Sequence, residues 1–325
     1  MKVMILTAGL GTRLRPHTFS RPKPLLGVAG KPVLGHIIDD LQGLQIDELI
    51  CITGYLGDQI EAFLRATYDF PLRCIEQSEA RGQAHAISLA RDVVEGPLLI
   101  VFGDGLLGLD IRHLNTHPAE GIIYCQEVAD PRRFGVAVVE DGKITRFVEK
   151  PNEPVSNLAI AGAYYVPEAR RLMDAISYLM EHNIQTKGEF YLADALQVMI
   201  ERGEVLHAAT VSLWRDCGTV EALLDTNRYL LEHGHSREGA VHESLIIPPV
   251  YIGEGAVIEH SIIGPHATIG AGAVVRRSIV NDSIVYANAT LEGMHLTQSL
   301  VGEEAALRGV ARVANVGARS ELSIG

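Results

Sequence analysis

A chain of 325 residues, 47% of them hydrophobic, carries enough apolar side chain for a large catalytic domain and a smaller second one. Its net charge of -12 excludes a broad basic face, and with it a general nucleic-acid or membrane-surface role. No apolar stretch approaches the length of a membrane span, no charged and apolar leader opens the chain, and the four scattered cysteines show no CxxC spacing. A cytoplasmic protein with buried free thiols is expected.

The apolar run from Val3 to Leu6 reads as a buried strand, and Thr7-Ala8-Gly9-Leu10-Gly11-Thr12-Arg13-Leu14-Arg15 follows it at once. Small residues and two glycines let backbone N–H groups approach an anion, and Arg13, Arg15 and the Lys23 of Arg21-Pro22-Lys23-Pro24 add three cations. That set suits a polyphosphate, although it is neither the GxxxxGK[ST] loop nor GxGxxG. A ligand-free strand-to-helix turn is the plainer alternative. Two arginines so close in an acidic chain weigh against it, because they repel unless an anion lies between them or they point apart into solvent.

Helical spacing over 31–42, a strand over 48–53, a helix opened by Asp58, a strand over 73–77, a helix over 82–94 and a strand over 97–102 alternate. Such alternation predicts an α/β, doubly wound parallel sheet whose ligands sit beyond the strand C-termini. From Gly121 four strand-like runs (122–128, 136–139, 144–148, 158–166) follow without a helix, as an antiparallel extension. Helices over 167–180, 191–202 and about 220–233, and a short strand over 205–211, complete this part. Beyond Gly239 about twelve consecutive units of five or six residues each begin with Ile, Val or Leu, from IGEGAV at 252 to VANVGA at 313. Small residues fill the turns. This is the signature of a left-handed parallel β-helix of roughly four coils. The domains are therefore expected at 1–235 and 240–325.

Asp104 follows the most apolar strand in Phe102-Gly103-Asp104-Gly105, and Asp216 follows the lone tryptophan in Trp214-Arg215-Asp216-Cys217-Gly218-Thr219. Each has a plain structural role open to it, as a turn former or as an N-cap. Beside a phosphate loop, two carboxylates are also the hard oxygen ligands that Mg2+ takes. Gln77, at a strand end just before Gly82, offers a donor and an acceptor to a base edge, and Lys150 in Phe147-Val148-Glu149-Lys150-Pro151 closes the second hairpin. His260, His266 and His295 lie in the repeat region, where an acyltransferase would keep its base, but surface placement is the expectation.

These residues in this order, LTAGLGTRLRP, RPKPLL, GKPVL, GDG, FGVAVV, DGKITRFVEKP, SNLAIAGAYYV, KGEFYLADAL and WRDCGT, resemble the sugar-1-phosphate nucleotidylyltransferases, and most of all the long-form glucose-1-phosphate thymidylyltransferases. The resemblance runs from Met1 to about Tyr229, with a similar β-helix tail. It implies a Rossmann-like mixed sheet, a β-helix, and transfer of a nucleotidyl group from a nucleoside triphosphate (dTTP or UTP) to a sugar 1-phosphate with Mg2+. Position by position it implies Arg13, Lys23, Asp104 and Lys150 in catalysis. Ala8, Gly9, Gly11, Thr12, Arg13, Lys23, Gln77 and Gly82 would hold the nucleotide. Gly135, Glu149, Lys150, Gly162 and Glu189 would hold the sugar phosphate, and Asp104 and Asp216 the metal. Thr7, Gly27 and Lys187 depart from the usual pattern, with Thr7 the one expected to bear on base choice. The competing readings are guanylyl transfer to mannose 1-phosphate, a bifunctional uridylyltransferase and acyltransferase, and a non-catalytic regulatory subunit. Open β-helix ends suggest a homo-oligomer.

Overall fold

A computed structural model of the protein describes residues 1–309. The last repeat units read from sequence, from the end of LRGVAR through VANVGA, lie outside the described residues. Two compact units divide the chain: Met1–Leu26 with Lys31–Leu223, and Gly27–Gly30 with Leu224 onward.

In the first unit the strands β1 (Lys2–Leu6), β2 (Glu48–Thr53), β3 (Leu72–Glu76) and β4 (Leu98–Phe102) are parallel, with β1 between β4 and β2. Their central residues Val3, Met4, Ile5, Ile50 and Ile100 are buried, as helices on both faces require. After the short β5 (Gly105–Leu107), the antiparallel extension comprises β6 (Gly121–Glu127), β7 (Gly135–Glu140), β8 (Lys143–Glu149) and β9 (Leu158–Val166). β9 pairs antiparallel with β4, β6 and β7, and so joins the two halves into one nine-stranded mixed sheet. The later β10 (Leu206–Thr210) returns parallel to β6.

The helices are shorter than their periodicity suggests. α1 is Val33–Asp40, because Pro32 is still extended at ψ 146°. In α2 (Gly57–Thr67) Leu56 takes the N-cap in a left-handed conformation, which leaves Asp58 in the first turn. The stretch expected as one helix over 82–94 is α3 (Gln83–Ser88) followed by a separate 3-10 turn at Arg91–Val93. α4 (Ala169–Glu181) and α5 (Leu192–Glu201) pack on the sheet through Leu172, Ile176, Leu192 and Leu196. β11 (Trp214–Asp216) leads into α6 (Val220–Leu230), whose N-cap hydroxyl is Thr219 Oγ1, 3.2 Å from the Ala222 N–H. The helix start thus has its own cap, and Asp216 is not it.

α6 begins in the first unit and ends in the second, so the compact units part inside this helix. The second unit is a left-handed parallel β-helix, with three four-stranded parallel sheets among the described residues and Val250, Ile269, Val275, Val280, Val285 and Leu291 stacked inward. Asn227 is buried within it. Its Oδ1 accepts the Ala29 N–H at 2.8 Å and the Thr268 hydroxyl at 2.7 Å, and its Nδ2 donates to the His266 carbonyl at 3.3 Å. Asn227→Ala is expected to lower unfolding free energy by about 2–3 kcal/mol, since it orphans buried donors. Urea denaturation followed by circular dichroism checks this, and a change within error would remove Asn227 as the hub.

Of the repeat-region histidines, His260 and His295 are exposed as expected. His266 is half-buried instead, with Nε2 2.8 Å from Glu232 Oε1. All four cysteines are free, and only Cys74 is less than fully buried.

Candidate functional site

Two clefts of the first unit meet beyond the C-terminal ends of β1 and β4. The first, of about 400 Å3, is lined by the loop after β1 and by Lys23, Gln77, Gly82, Asp104 and Glu189. The second, of about 820 Å3, is lined by Lys150, Gly162, Trp214, Asp216 and the antiparallel strands. Arg13, Phe102 and Asp104 line both.

The loop is held from below. The Thr7 N–H and Oγ1 both donate to the Ile52 carbonyl at 2.8 Å, so this buried hydroxyl is spent on the scaffold. Ala8, Gly9, Gly11, Thr12 and Arg13 follow along the cleft wall. Gly11 sits at φ +61°, where a Cβ would stand 3.0 Å from both Lys23 Cβ and Thr18 Cγ2. Only a glycine lets the loop close so tightly on Lys23. Leu14 is fully buried and anchors the turn between Arg13 and Arg15. The two arginines then separate: Arg13 lines both clefts, whereas Arg15 lies over the Phe19 ring at 5.0 Å and lines neither. The three-cation cluster read from sequence is a two-cation cluster, with the third braced on an aromatic face.

Asp104 and Asp216, far apart in the chain, become neighbours through the two-stranded ribbon of β5 and β11. Gly105 pairs with Asp216, and the Cys217 N–H donates to the Asp104 carbonyl at 3.1 Å. Lys23 Nζ lies 3.1 Å from Asp104 Oδ2. Asp216 Oδ1 accepts the Gly218 N–H at 2.9 Å, and a Cβ on Gly218 would stand 2.8 Å from Arg13 Nη2. Gly218 therefore admits the guanidinium beside the carboxylate.

Gln77 Nε2 donates to the Gly82 carbonyl at 3.2 Å and stands 3.1 Å from His85 Nδ1. Burial and then the Arg81 charge hold the His85 imidazole below its ordinary pKa, which favours the neutral ring. Gly82 adopts φ +105° and lies against Phe190, whose carbonyl a Cβ would meet at 2.5 Å.

In the second cleft Lys150 Nζ lies 3.5 Å from Glu149 Oε1 and 5.7 Å from the Tyr191 ring centroid. Burial raises the Glu149 pKa against the opposing pull of Lys150. Burial works to lower Lys150, but Tyr191 and Glu149 outweigh it and raise its pKa. Gly135 pairs in register with Glu149, and a Cβ there would stand 2.7 Å from Glu149 Oε2. Gly135 and Glu149 thus form a wall behind Lys150 rather than the cleft lining itself. Gly162 lines the cleft at the irregularity of β9, with φ +94° and the Phe102 ring 3.2 Å from where a Cβ would be. Glu189 lines the first cleft, at the end of a turn through Lys187 and Gly188.

A separate cleft of about 610 Å3 borders the opposite ends of the parallel strands at Lys2, Arg73, Arg91 and Arg170. Each of these cations is ion-paired, with Glu48, Glu48, Asp174 and Glu95 respectively.

Residues 2–233 match the nucleotidyl transferase family, and residues 234–294 match the GlmU-like C-terminal hexapeptide. The chain belongs to the nucleotidyl transferase family. It is 37% identical over 96% of its length, and 90% of the relative's, to the low-salt glycan biosynthesis nucleotidyltransferase Agl11 of Haloferax volcanii. It is 32% identical, over 96% of this chain and 90% of the relative, to a glucose-1-phosphate thymidylyltransferase of Streptomyces antibioticus. A Bacillus anthracis structure assigned as a glucose-1-phosphate thymidylyltransferase, solved with sucrose, superposes with a TM-score of 0.61 at 29% identity, covering 74% of this chain and 97% of that one. No helix among the described residues is long and apolar enough to cross a membrane.

The second cleft of this nucleotidyltransferase is also lined by residues that sequence reasoning does not single out. Phe134 and Trp214 stand 5.0 Å apart at the second cleft, beside Gln126, whose buried Oε1 has no hydrogen-bond partner. The signal for Gln126 was an amide closing the apolar run Ile122 to Cys125. Nothing local marks Phe134 and Trp214 as neighbours, because Phe134 stands just before β7 and Trp214 opens β11, far apart in the chain.

Proposed function

We propose that this nucleotidyltransferase transfers a nucleotidyl group from dTTP or UTP to a sugar 1-phosphate, glucose 1-phosphate first among them, and releases pyrophosphate. The observation that carries this reading is the pair Arg13 and Asp104, which line both clefts and so stand where two bound anions would meet. A sugar phosphate is largely dianionic near neutrality, its second pKa being about 6. Its oxygen attacks the α-phosphorus without a general base, the bond to the bridging oxygen breaks, and pyrophosphate leaves. Repulsion between the anions is the main obstacle, so positioning and preorganised charge supply the catalysis.

In this reading Arg13 and Lys23 neutralise the departing pyrophosphate, and Lys150, backed by Glu149, holds the sugar phosphate. Asp104 and Asp216 offer the hard oxygen donors that suit Mg2+, and Asp104 already holds the Lys23 ammonium. Bound there, Mg2+ would supply further charge neutralisation at the phosphates. With Gln77 Nε2 committed to Gly82 and His85, its Oε1 accepts the N3–H of a thymine or uracil. Gln126 Oε1 accepts from a sugar hydroxyl, and Phe134 with Trp214 gives the ring an apolar face.

Pyrophosphate release measured for dTTP, UTP, GTP, CTP and ATP against glucose 1-phosphate, mannose 1-phosphate and N-acetylglucosamine 1-phosphate tests the proposal. With glucose 1-phosphate and Mg2+, kcat/KM for dTTP or UTP is expected to exceed that for GTP by at least ~10-fold, the scale of discrimination by one hydrogen-bonding edge. Removal of Mg2+ with EDTA is expected to stop turnover. Fastest turnover with GTP and mannose 1-phosphate would overturn the base and sugar assignments.

A further inference from the structure

We propose that His242, Glu243 and His260, on two successive coils of the β-helix, form a binding site for one divalent transition-metal ion of the Zn2+ class, independent of the catalytic clefts. The three side chains each offer one ligand atom, and these atoms all lie within 4.8 Å of one another. His260 Nδ1 is 3.0 Å from Glu243 Oε2, and the rings of His242 and His260 meet edge to face with centroids 5.9 Å apart.

The β-helix backbone brings them together. His242 pairs in parallel with Glu259, the His260 N–H donates to the His242 carbonyl at 3.1 Å, and Leu245 pairs with Ile262 just beyond. This coil-on-coil register places positions 242 and 243 beside position 260. Glu243 and His260 both adopt left-handed backbone conformations, at φ 45° and φ 50°, which turns the chain at the corner and sends their side chains into solvent. Glu259, next to both imidazoles, is paired with Arg276 at 2.8 Å and so does not compete for the same ion.

The donor set decides the class of ligand. Two imidazoles and one carboxylate are a recurrent Zn2+ combination, and water fills the remaining position. Imidazole nitrogen also suits Cu2+ and Ni2+, whereas Mg2+ and Ca2+ take oxygen donors. Metal bonds of about 2.0–2.1 Å put tetrahedral donors roughly 3.3 Å apart. The His260–Glu243 pair is already within that spacing, and exposed side chains need only a small rotation to bring His242 in. A bare exposed ion pair between His260 and Glu243 would be worth little and would not call for the second imidazole.

Metal-free full-length protein, titrated with Zn2+ by calorimetry in excess Mg2+ to occupy oxygen-only sites, tests the proposal. One Zn2+ per chain is expected, lost on acidification as the imidazoles protonate. His260→Ala and His242→Ala are each expected to weaken binding by at least ~10-fold, and the double variant to abolish it, with nucleotidyl transfer and circular dichroism unchanged. In histidine-selective NMR, only the His242 and His260 ring signals should shift at the first equivalent. Absence of Zn2+ binding in the parent, or full binding in the double variant, would overturn the site.

Discussion

Lys23→Met is expected to lower kcat by roughly 10²–10³-fold, the loss typical of removing one preorganised charge from a site where transition-state charge develops. Methionine keeps the buried stem of this side chain, which is only 10% exposed, so the thermal midpoint should change little. The Lys23 backbone lies between Pro22 and Pro24, under a loop that closes on its Cβ only because residue 11 is glycine, and its ammonium reaches Asp104. In the proposed reaction it neutralises the leaving pyrophosphate. KM for the sugar phosphate should move far less than kcat, since Lys23 lines only the first cleft, where the proposed reaction puts the triphosphate. Steady-state pyrophosphate release checks both quantities, and a variant with full turnover would remove Lys23 from the mechanism.

Gly82→Ala is expected to raise the KM for the triphosphate at least ~10-fold and to cost about 1–3 kcal/mol of stability from backbone strain alone. At φ +105° an L side chain is strained, and its Cβ would lie 2.5 Å from the Phe190 carbonyl and 2.7 Å from the Phe190 nitrogen. Relief requires the segment to part from Phe190, which moves the Gly82 carbonyl that orients Gln77. In the proposed reading, base recognition and stability therefore fall together. Nucleotide titration and a thermal melt on the same sample separate the effects; unchanged affinity in a destabilised variant would leave Gly82 a purely structural role.

Much of this site is legible in sequence because its parts are local. The strand Val3 to Leu6 and the small residues behind it belong together through backbone geometry alone, and Asp104 stands at the end of an apolar run that had to be central. The β-helix repeats one short pattern, so each unit confirms the next. The helix over 82–94 was overread because its apolar spacing continues past Ser88, where the chain instead breaks to reach Val94 and β4.

Thr7 marks the boundary of such reading. Its hydroxyl, at the base of the nucleotide loop, looks from the sequence like a group for the base. In the fold it donates to the Ile52 carbonyl on the adjacent strand, which sequence distance conceals. Arg15 is similar: its charge is plain in the sequence, but only the position of Phe19 decides that it braces the loop.

The amino-acid sequence by itself determined the alternating α/β core, the repeat of the tail and the residue types that line the clefts, because each rests on short-range periodicity or on steric demands within a few residues. Tertiary structure alone decided which carboxylates are neighbours, which arginine faces the clefts, that Glu189 lines the same cleft as Lys23, and that His242, Glu243 and His260 converge. Those facts depend on pairing between distant strands and on coil-to-coil register, which arise only once burial of the apolar residues has brought the segments together.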